Sequence, residues 1–349
     1  MSDRTNVGII FGGQSAEHEV SLQSAKNVLA AIDRERFTVV PIGIDKSGSW
    51  WQFAADDCFL NPDDPATITL KTDAATPLPL SALEPNAGTS RLIDLAFPLI
   101  HGPFGEDGRL QGLLEMLNIP YVGADVLGSA VGMDKDVMKR LLRDAGIPIA
   151  KFLTLRQHER IDPEMIAADL GLPCFVKPAN LGSSVGVSKA HNETELADAL
   201  AAAFTHDRKV LVEEAISGRE LECSVLGNES PEASIVGEIL PSHEFYSYEA
   251  KYLDEHGAAL AIPAELPADL ADRARELALL TYRTLECHDL ARVDMFLNEE
   301  GALIMNEINT LPGFTSVSMY PQLWEASGLP YQALVTRLLE LAQERSSRI

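Results

Sequence analysis

Two short apolar runs joined by a polar turn predict a β-hairpin between residues 292 and 309, and no other stretch constrains the fold as strongly. The runs are 293–297 and 302–305, and the turn between them is Asn298-Glu299-Glu300-Gly301. A polar turn that ends in glycine between two such runs is typical of a hairpin. Because side chains alternate along a strand, the register of this hairpin decides which polar residues share a face.

Four polar side chains stand at alternate positions in and beside the two runs: Arg292, Asp294, Glu307 and Asn309. We expect Leu297 to pair with Ala302. That register puts Arg292 opposite Glu307 and leaves all four polar side chains on one face, whereas a slip of one residue would separate the two pairs. Carboxylate and amide oxygens are the ligands that Mg²⁺ prefers, and an arginine beside them can hold an anion. The alternative is a solvated strand face that carries a charge pair.

The composition is that of a soluble, globular and strongly acidic chain. Its 349 residues are too many for one ordinary core and predict two or three domains. The net charge of −24 disfavours nucleic acid or an anionic membrane as a partner. We expect no membrane span, because no apolar run is long enough, and no signal peptide, because the start MSDRTNVGIIFGG has no signal-peptide core. Four widely spaced cysteines predict free thiols in a reducing cytoplasm: Cys58, Cys174, Cys223 and Cys287.

The start of the chain predicts an open α/β sheet. A buried strand at 7–11 leads into Gly12-Gly13-Gln14-Ser15, and a helix follows from 16 to about 31. Ligands of such sheets lie at the carboxyl ends of the strands, which is where Glu17 stands; its alternative role is to complement the helix dipole. Residues 54–88 are rich in Pro, Asp and Thr and predict a surface excursion with little core of its own.

A polar loop follows the next predicted strand, at 92–100. It has the sequence HGPFGEDG and begins with His101. A histidine at the carboxyl end of a strand is placed to touch an anionic substrate, although such residues are about as often structural.

Two lysines and a Gly-Ser turn predict phosphate contacts in the middle of the chain. Lys135 stands in the first turn of a helix predicted over 133–145, where a cation is unfavourable for the helix dipole. Lys177 follows a strand predicted over 172–176, and the turn 180–187 comes next. Such a turn can lay backbone N–H groups along phosphates. It is not a Walker A loop, because the lysine precedes it and no helix follows; a surface lysine and a plain hairpin are the alternatives.

Carboxylates and an irregular segment follow. Glu213 and Glu214 end a strand predicted over 210–214, and this edge can bind adenine through its backbone, with Glu220 near the ribose; they can equally be exposed edge charges. Residues 242–260 lack any periodicity and predict a lid. Two further helices are predicted over 267–287 and 331–342.

In order and wording these motifs resemble the D-alanine–D-alanine ligase family of the ATP-grasp superfamily, over nearly the whole chain. The segments that carry the resemblance are GGQSAEHEVSL, HGPFGEDGRLQG, GMDKDVMK, FVKPANLGSSVGVSK, FYSYEAKY and ARVDMFLNEEGALIMNEINTLPGFTSVS. The resemblance implies an α/β fold with α+β character in its ATP-grasp part. It divides the chain into an N-terminal open α/β sheet domain (1–127), a central ATP-grasp domain (128–222) and a C-terminal metal- and substrate-binding domain (223–349) with the lid at 242–260.

The resemblance also implies roles for the candidate site residues. The set that binds ATP is Lys135, Lys177, Ser184, Glu213, Glu214, Ile216, Glu220 and Lys251. The set that binds two ions of Mg²⁺ or Mn²⁺ is Asp294, Glu307 and Asn309. The set that binds D-alanine is Glu17, His101, Arg292, Ser318 and Met319, and the catalytic set is Glu17, Ser183, Tyr252, Arg292 and Gly313. Glu214 and Ala215 depart from the residues common at these positions in the family, which leaves the adenine contacts open.

The implied reaction joins two D-alanines for peptidoglycan precursor synthesis. The carboxylate of the first D-alanine would attack the γ-phosphate of ATP to give D-alanyl phosphate, and the amine of the second would then attack the carbonyl carbon. Arg292 and the Gly313 N–H would stabilise the resulting oxyanion. Glu17, with Ser183 and Tyr252, would hold the ammonium of the first substrate. The family also implies a homodimer.

Tyr252 in FYSYEAKY bears on the choice of nucleophile, because relatives that make D-alanyl-D-lactate tend to lack this tyrosine. Its presence favours an amine. The alternatives are an ATP-grasp ligase for D-lactate or another amino acid, a non-catalytic nucleotide-binding regulator with the same fold, and an acidic metal-binding protein. The regulator would require a missing metal ligand or acid, and the sequence lacks none.

Overall fold

The computed structural model describes residues 4–54, 57–84, 91–241 and 258–347, and the chain begins with a sheet that is parallel at its centre. The strands of this region are β1 (Thr5–Gly12), β2 (Phe37–Ile44), β3 (Trp50–Gln52), β4 (Phe59–Leu60), β5 (Thr69–Leu70), β6 (Thr76–Pro77) and β7 (Leu95–Pro98). The strand order is β6-β3-β2-β1-β7, with β1 parallel to both β2 and β7. This arrangement confirms the predicted open α/β sheet.

Helices cover this first sheet because its central strand is apolar on both faces. Val7, Ile9, Ile10 and Phe11 of β1 are fully buried, as expected for a parallel strand with a layer on each side. The helices of this region are α1 (His18–Ala31), α2 (Arg109–Met116) and α3 (Val126–Met133).

The excursion at 54–88 is anchored in the core of the first sheet. β4 and β5 pair only with each other among the described residues, yet Phe59 and Ile68 are buried, and the Phe59 ring lies 5.4 Å from that of Phe11. The expected surface segment therefore shares the core of its neighbour, because its few large apolar residues point inward.

A second sheet is antiparallel throughout. Its elements are α4 (Lys135–Asp144), β8 (Phe152–Arg156), α5 (Pro163–Leu170), β9 (Cys174–Pro178), β10 (Ser188–Ala190), α6 (Glu193–His206) and β11 (Lys209–Glu214). The strand order is β10-β9-β11-β8. The Gly-Ser turn joins β9 to β10 and thus connects two paired strands, as predicted.

The helix predicted over 133–145 is interrupted at its first turn. α3 ends at Met133 and α4 begins at Lys135, with Asp134 between them in an extended conformation. The Asp134 carboxylate accepts a hydrogen bond from Val137 N at 3.1 Å, so this residue is the N-cap of α4 and its side chain offsets the cation that follows.

A third sheet contains the hairpin. Its elements are β12 (Gly218–Leu226), β13 (Glu232–Pro241), β14 (Ala258–Ala261), α7 (Ala268–Thr284), β15 (Leu290–Asn298) and β16 (Leu303–Asn309), and the strand order is β14-β13-β12-β15-β16. α7 buries Leu270, Ala274, Ala278 and Tyr282, the face that its helical spacing predicted.

The hairpin is confirmed, but its predicted register is wrong. Asp294, not Arg292, lies opposite Glu307, because a turn one residue longer and a bulge after Asp294 each shift the pairing by one residue. The extra residue of the bulge is Asn306. A total shift of two residues keeps all four polar side chains on one face, since side chains alternate with a period of two.

The end of the chain returns to the first sheet. α8 (Met319–Ala326) and α9 (Tyr331–Ser346) follow the hairpin, and the fully buried Leu334 and Leu338 of α9 share a core with Val7 and Phe97. The first and third sheets are therefore joined by one apolar core. The predicted domain bounds stay a prediction; the bound at 222 falls inside β12.

Within the described ranges, no helix combines the length and the apolar character that crossing a bilayer requires.

A buried carboxyl group lies between these two parts of the chain. Asp289 is fully buried; its Oδ2 accepts from Gly123 N at 2.9 Å and lies 3.4 Å from the Arg345 guanidinium. Burial raises the pKa of Asp289 to about 6, against the lowering effect of Arg345 and of the Gly123 N–H. A carboxyl group whose pKa is higher in the folded than in the unfolded chain favours folding in its protonated form. That contribution is present below about pH 4 and is lost as the pH rises through 6.

Asp289→Asn is therefore expected to gain stability relative to the natural chain as the pH rises from 5 to 8, because the amide does not ionise. A pKa difference of two units corresponds to roughly 3 kcal/mol once the group is fully ionised. Thermal unfolding midpoints of both proteins at several pH values measure the effect, with Asp198→Asn, at an exposed position of α6, as the control. A midpoint difference that stays constant with pH would contradict the prediction.

Candidate active site

A cavity of about 360 Å³ lies between elements of all three sheets. Its lining includes predicted site residues that are far apart in sequence: Glu17, His101, Lys135, Ser183, Arg292, Glu307, Asn309, Gly313, Ser318 and Met319. Cavities of this size hold small molecules. The fold thus gathers a large part of the predicted site around one volume.

Carboxylates stand in a row across three neighbouring strands of the third sheet. Glu222 of β12 lies opposite Asp294 of β15, and Asp294 lies opposite Glu307 of β16. Opposed side chains on antiparallel strands have their Cβ atoms roughly 4.5–5.5 Å apart. Three like charges at that spacing repel one another, so the row requires cations beside it.

Arg292 supplies one such cation. Its Nε donates to Asp294 Oδ1 at 2.7 Å, and its Nη2 donates to Asp294 Oδ2 at 2.6 Å. The same Nε lies 2.9 Å from Glu222 Oε2. Burial by itself lowers the pKa of this guanidinium, but the charges of Asp294 and Glu222 raise the pKa well above its ordinary value. Arg292 therefore stays charged beside the cavity, where it can stabilise a developing oxyanion.

Asp294, Glu307 and Asn309 form a donor set that suits a divalent cation. Two carboxylates and an amide oxygen are hard ligands, and all three stand on one face. Asn309 Oδ1 accepts from Leu311 N at 3.0 Å and retains a second lone pair. Among the described residues, no group of three His, Cys, Asp or Glu side chains is arranged to hold a metal, and the third donor of the present set is an amide.

Lys135 extends from the start of α4 towards the carboxylate row. Its Nζ donates to Leu181 O in the Gly-Ser turn at 2.5 Å and lies 3.8 Å from Glu307 Oε2. Lys209 donates to both oxygens of the capping Asp134, at 2.6 and 2.5 Å. Lys209 therefore holds the N-cap Asp134 in place, and Lys135 is held between the Gly-Ser turn and Glu307.

Glu17 joins the first sheet to the Gly-Ser turn. Its carboxylate accepts a hydrogen bond from Ser183 Oγ, and only 8% of the residue is exposed. Gly102, at φ 74°, lies against the same carboxylate, where a Cβ would collide with it. Ser183 and Ser184 have φ values of 51° and 60°. This left-handed conformation breaks the extended path of the chain between β9 and β10.

Glu213 forms ion pairs with two ammonium groups, those of Lys139 and Lys177, in a buried cluster. Lys177 Nζ donates to Oε2 at 2.9 Å, and Lys139 Nζ lies 3.3 Å from the same oxygen. Burial favours a raised pKa for Glu213, but the two lysines hold it below its ordinary value. Burial lowers the pKa of Lys139, whereas at Lys177 the charge of Glu213 outweighs burial and raises the pKa.

The remaining predicted nucleotide residues lie outside the lining of this cavity. Glu214 Oε1 accepts from Lys151 N at 2.7 Å and thus ties β11 to the start of β8. Ile216 and Glu220 are half-buried, and Glu220 stands two residues before Glu222 on β12.

His101 is engaged by the protein on both ring nitrogens. Its Nδ1 lies 3.0 Å from Leu311 O, and its Nε2 lies 3.0 Å from Ser24 Oγ. Only 3% of the residue is exposed, although it contributes to the cavity lining. Burial tends to lower the pKa of this imidazole, but Glu106, 3.6 Å from Nδ1, raises it.

Ser318 and Met319 stand at the start of α8, with Ser318 as the N-cap. Ser318 Oγ accepts from Thr315 N at 3.0 Å. Gly313 approaches so closely that a Cβ there would lie 2.8 Å from Ser318 Oγ. The start of a helix favours an anion, and Gly313, which has no side chain, brings its backbone to the cavity lining.

Two predicted residues, Lys251 and Tyr252, lie outside the described residues, as does 242–257 of the predicted lid. Their roles stay predictions.

The sequence interpretation missed Glu222, Lys139 and Asn306. Glu222 follows Glu220 by two positions on a strand, so alternation carried a signal that both face the same side. Lys139 follows Lys135 by one helical turn, which likewise places the two lysines on one face. Asn306 offered no signal, because its position depends on the bulge.

Two family models together match most of the chain: "D-ala D-ala ligase N-terminus" over 6–124 and "D-ala D-ala ligase C-terminus" over 141–340. A curated "D-alanine--D-alanine ligase" of Shouchella clausii is 55% identical over 354 residues, which cover 99% of this chain and 96% of the relative. Among solved structures, the D-alanine-D-alanine ligase from Coxiella burnetii has a TM-score of 0.87 and 38% identity, covering 99% of this chain and 96% of that one. The VanG D-Ala:D-Ser ligase from Enterococcus faecalis has a TM-score of 0.86 and 37% identity, covering 97% and 100%.

The buried cluster yields a prediction about stability. Glu213→Gln should lower the thermal midpoint, because two buried ammonium groups lose their carboxylate; breaking a buried pair costs about 3–5 kcal/mol. Lys139→Met should leave the midpoint unchanged or raise it, since methionine fills a similar volume and Glu213 keeps Lys177. Thermal unfolding of the two variants measures this contrast, and a midpoint lowered as much in Lys139→Met as in Glu213→Gln would contradict it.

Proposed function

The chain belongs to the D-alanine–D-alanine ligase family, and from that premise we propose how its residues join two D-alanines with ATP. The products of this ATP-dependent ligase are D-alanyl-D-alanine for peptidoglycan synthesis, ADP and phosphate. The observation that carries the proposal is the cavity in which Glu17, Arg292, Glu307 and Lys135 meet. The reaction requires four groups in one place. They are an acid that accepts the substrate ammonium group, a guanidinium beside the reacting carbonyl, a carboxylate that can bind a metal, and a lysine that can bind a phosphate.

Lys135 and Lys177 neutralise the ATP phosphates. Lys135 Nζ already lies between the Gly-Ser turn and Glu307. The Lys177 side chain is 14% exposed, and its Nζ lies 3.4 Å from Asn306 Oδ1. The Ser183-Ser184 turn closes over the phosphates with its backbone N–H groups. Glu213, Glu214, Ile216 and Glu220 form the adenine and ribose end of the site.

Asp294, Glu307 and Asn309 hold two Mg²⁺ or Mn²⁺ ions in this proposal. When bound, the metal neutralises phosphate oxygens and orients the γ-phosphate for transfer. Each oxygen of Asp294 accepts one hydrogen bond from Arg292 and would keep a lone pair for a metal. Glu222, 2.9 Å from the Arg292 Nε, helps to keep the guanidinium in place.

Glu17 positions the first D-alanine. Its carboxylate, held by Ser183 Oγ, accepts the substrate ammonium group, and Tyr252 completes this contact. The substrate carboxylate oxygen attacks the γ-phosphorus, the bond to ADP breaks, and D-alanyl phosphate forms. Holding the substrate carboxylate next to the γ-phosphate supplies the entropic advantage of an intramolecular reaction.

Arg292 and the Gly313 N–H act in the second step. The amine of the second D-alanine attacks the carbonyl carbon, and these donors stabilise the oxyanion before phosphate leaves. One such donor is worth about 3–4 kcal/mol. Ser318 and the Met319 N–H at the start of α8 hold the second carboxylate, His101 lies near the first substrate, and Lys251 on the lid helps to exclude water.

We further propose that the enzyme works in the cytoplasm as a homodimer, in line with the reducing environment that its buried free cysteines suit.

The proposed reaction is tested by ADP release from the natural chain with ATP, Mg²⁺ and D-alanine, together with mass analysis of the product. We expect one ADP for each D-alanyl-D-alanine formed. D-Serine and D-lactate serve as competing second substrates, since a structural neighbour is named as a D-Ala:D-Ser ligase. ATP binding without D-alanine-dependent ADP release would overturn the proposal, and preferential formation of a D-serine or D-lactate product would change its substrate.

Glu307→Gln tests the metal role of the hairpin. We expect turnover to fall by at least about 100-fold, because the amide cannot balance the charge of a divalent cation. The affinity for Mn²⁺ in the presence of ATP, measured by electron paramagnetic resonance, should fall together with turnover. Glu299→Gln, in the exposed turn of the same hairpin, is the matched control. Unchanged Mn²⁺ binding in Glu307→Gln would exclude the residue as a ligand.

A further inference from the structure

The loop after β16 is held by the first sheet on both sides of Gly313. Leu311 and Phe314 flank Pro312-Gly313, and both are buried, with 2% and 0% exposed. The Phe314 ring packs edge-on against Phe97 of β7 with centroids 5.6 Å apart. Phe314 thus belongs to the core of the N-terminal sheet, whereas Gly313 itself lines the cavity.

Ser24 of α1 is the polar centre of this attachment. Its Oγ accepts a hydrogen bond from Phe314 N at 3.0 Å and lies 3.0 Å from His101 Nε2. On the other side of the imidazole, Nδ1 lies 3.0 Å from Leu311 O. Ser24 is fully buried, so water does not compete for these bonds.

The acceptor at Leu311 fixes the proton on one side of His101. A carbonyl oxygen only accepts, so His101 Nδ1 carries a proton and donates it. On the other side, His101 Nε2 and Ser24 Oγ share a hydrogen bond, and Ser24 Oγ accepts from Phe314 N. The chain of bonds runs from Phe314 N–H through Ser24 and His101 to Leu311 O, and it closes a ring around Pro312-Gly313.

α1 connects this ring to the first substrate site. Glu17 is the N-cap of α1, and Ser24 lies seven residues further along the same helix, a rise of roughly 10 Å. Asn27, one turn later, donates to Phe314 O at 3.1 Å. One rigid helix therefore sets the distance between the acid that holds the first substrate and the loop that carries the Gly313 N–H.

We propose that Ser24 is a positioning residue that aims the Gly313 N–H at the carbonyl oxygen in the second step of the reaction; this inference rests on the proposed function. Ser24 is fully buried and does not belong to the cavity lining. It acts through Phe314 N and His101, which hold both ends of the loop. Loss of its hydroxyl lets the loop shift, and a displacement of about 1 Å costs on the order of 100-fold in rate.

The inference separates the two chemical steps. Formation of D-alanyl phosphate uses Glu17, the lysines and the metal site, whereas the hydrogen bonds of Ser24 go to Phe314 N and to His101. His101, near the first D-alanine, is also held by its own bond to Leu311 O. Attack by the second amine needs the oxyanion donors. A Ser24 variant should therefore phosphorylate the first D-alanine normally and form the peptide bond slowly.

The experiment is a rapid-quench comparison of Ser24→Ala with the natural chain, with ATP, Mg²⁺ and D-alanine as the reagents. ADP and dipeptide are counted in each sample. Ser21→Ala is the matched control, because Ser21 lies one turn earlier on α1, is fully buried, and also bridges two backbone groups, Gly12 N and Leu99 O. It differs from Ser24 in making no contact with the loop at 311–314.

In Ser24→Ala we expect a burst of about one ADP per active site before the dipeptide appears. The steady-state rate should be roughly 10- to 100-fold lower than that of the natural chain. The KM values for ATP and the first D-alanine should stay within about twofold of the natural values. Ser24→Cys, which keeps a weak hydrogen-bonding group, should fall between the two and serves as the test if Ser24→Ala does not fold. ADP and dipeptide formed in the same ratio as in Ser21→Ala would overturn the inference. Absence of dipeptide from the natural chain would instead overturn the proposed function.

Discussion

Positive charge held beside a row of carboxylates is the interaction on which the site depends. Glu222, Asp294 and Glu307 are brought together by strand register, and their mutual repulsion is offset by Arg292 within the row and Lys135 beside it. The same arrangement makes the site receptive, because phosphates need the cations and a divalent metal needs the carboxylates. A chain of net charge −24 can bind a nucleotide only where it concentrates cations in this way.

The site exists because distant parts of the chain share one core. Glu17 comes from the first helix, Ser183 from a turn of the second sheet and Arg292 from the hairpin of the third. Phe314 and the last helix are packed into the core of the first sheet, so the loop that follows the hairpin cannot move independently of α1. Packing of this kind transmits small displacements, since interiors are as dense as organic crystals. Residues that never meet a substrate can therefore control where its reacting atoms lie.

The local sequence pattern was sufficient to predict the secondary-structure elements of the site but not the contacts between them. Alternation in the hairpin predicted that Arg292, Asp294, Glu307 and Asn309 share a face, and they do; it failed to predict their partners, because a bulge at Asn306 has no local signature. Glu222 joined the row only through pairing with β15, which lies some seventy residues later in the chain. His101 was placed correctly at a strand end, but its contacts with Ser24 and Leu311 depend on the return of the C-terminal segment.

The sequence by itself determined most strands and helices, the face that the polar residues of the hairpin share and, through the resemblance of its motifs, the family. Those properties follow from the period of the backbone and from residue chemistry, both of which act over a few neighbouring positions. Only the tertiary structure decided that Glu222 completes the carboxylate row, that Lys139 is buried against Glu213, and that the first helix holds the Gly313 loop. These contacts join residues dozens to hundreds of positions apart, and the free energy that selects them comes from burying the whole core at once.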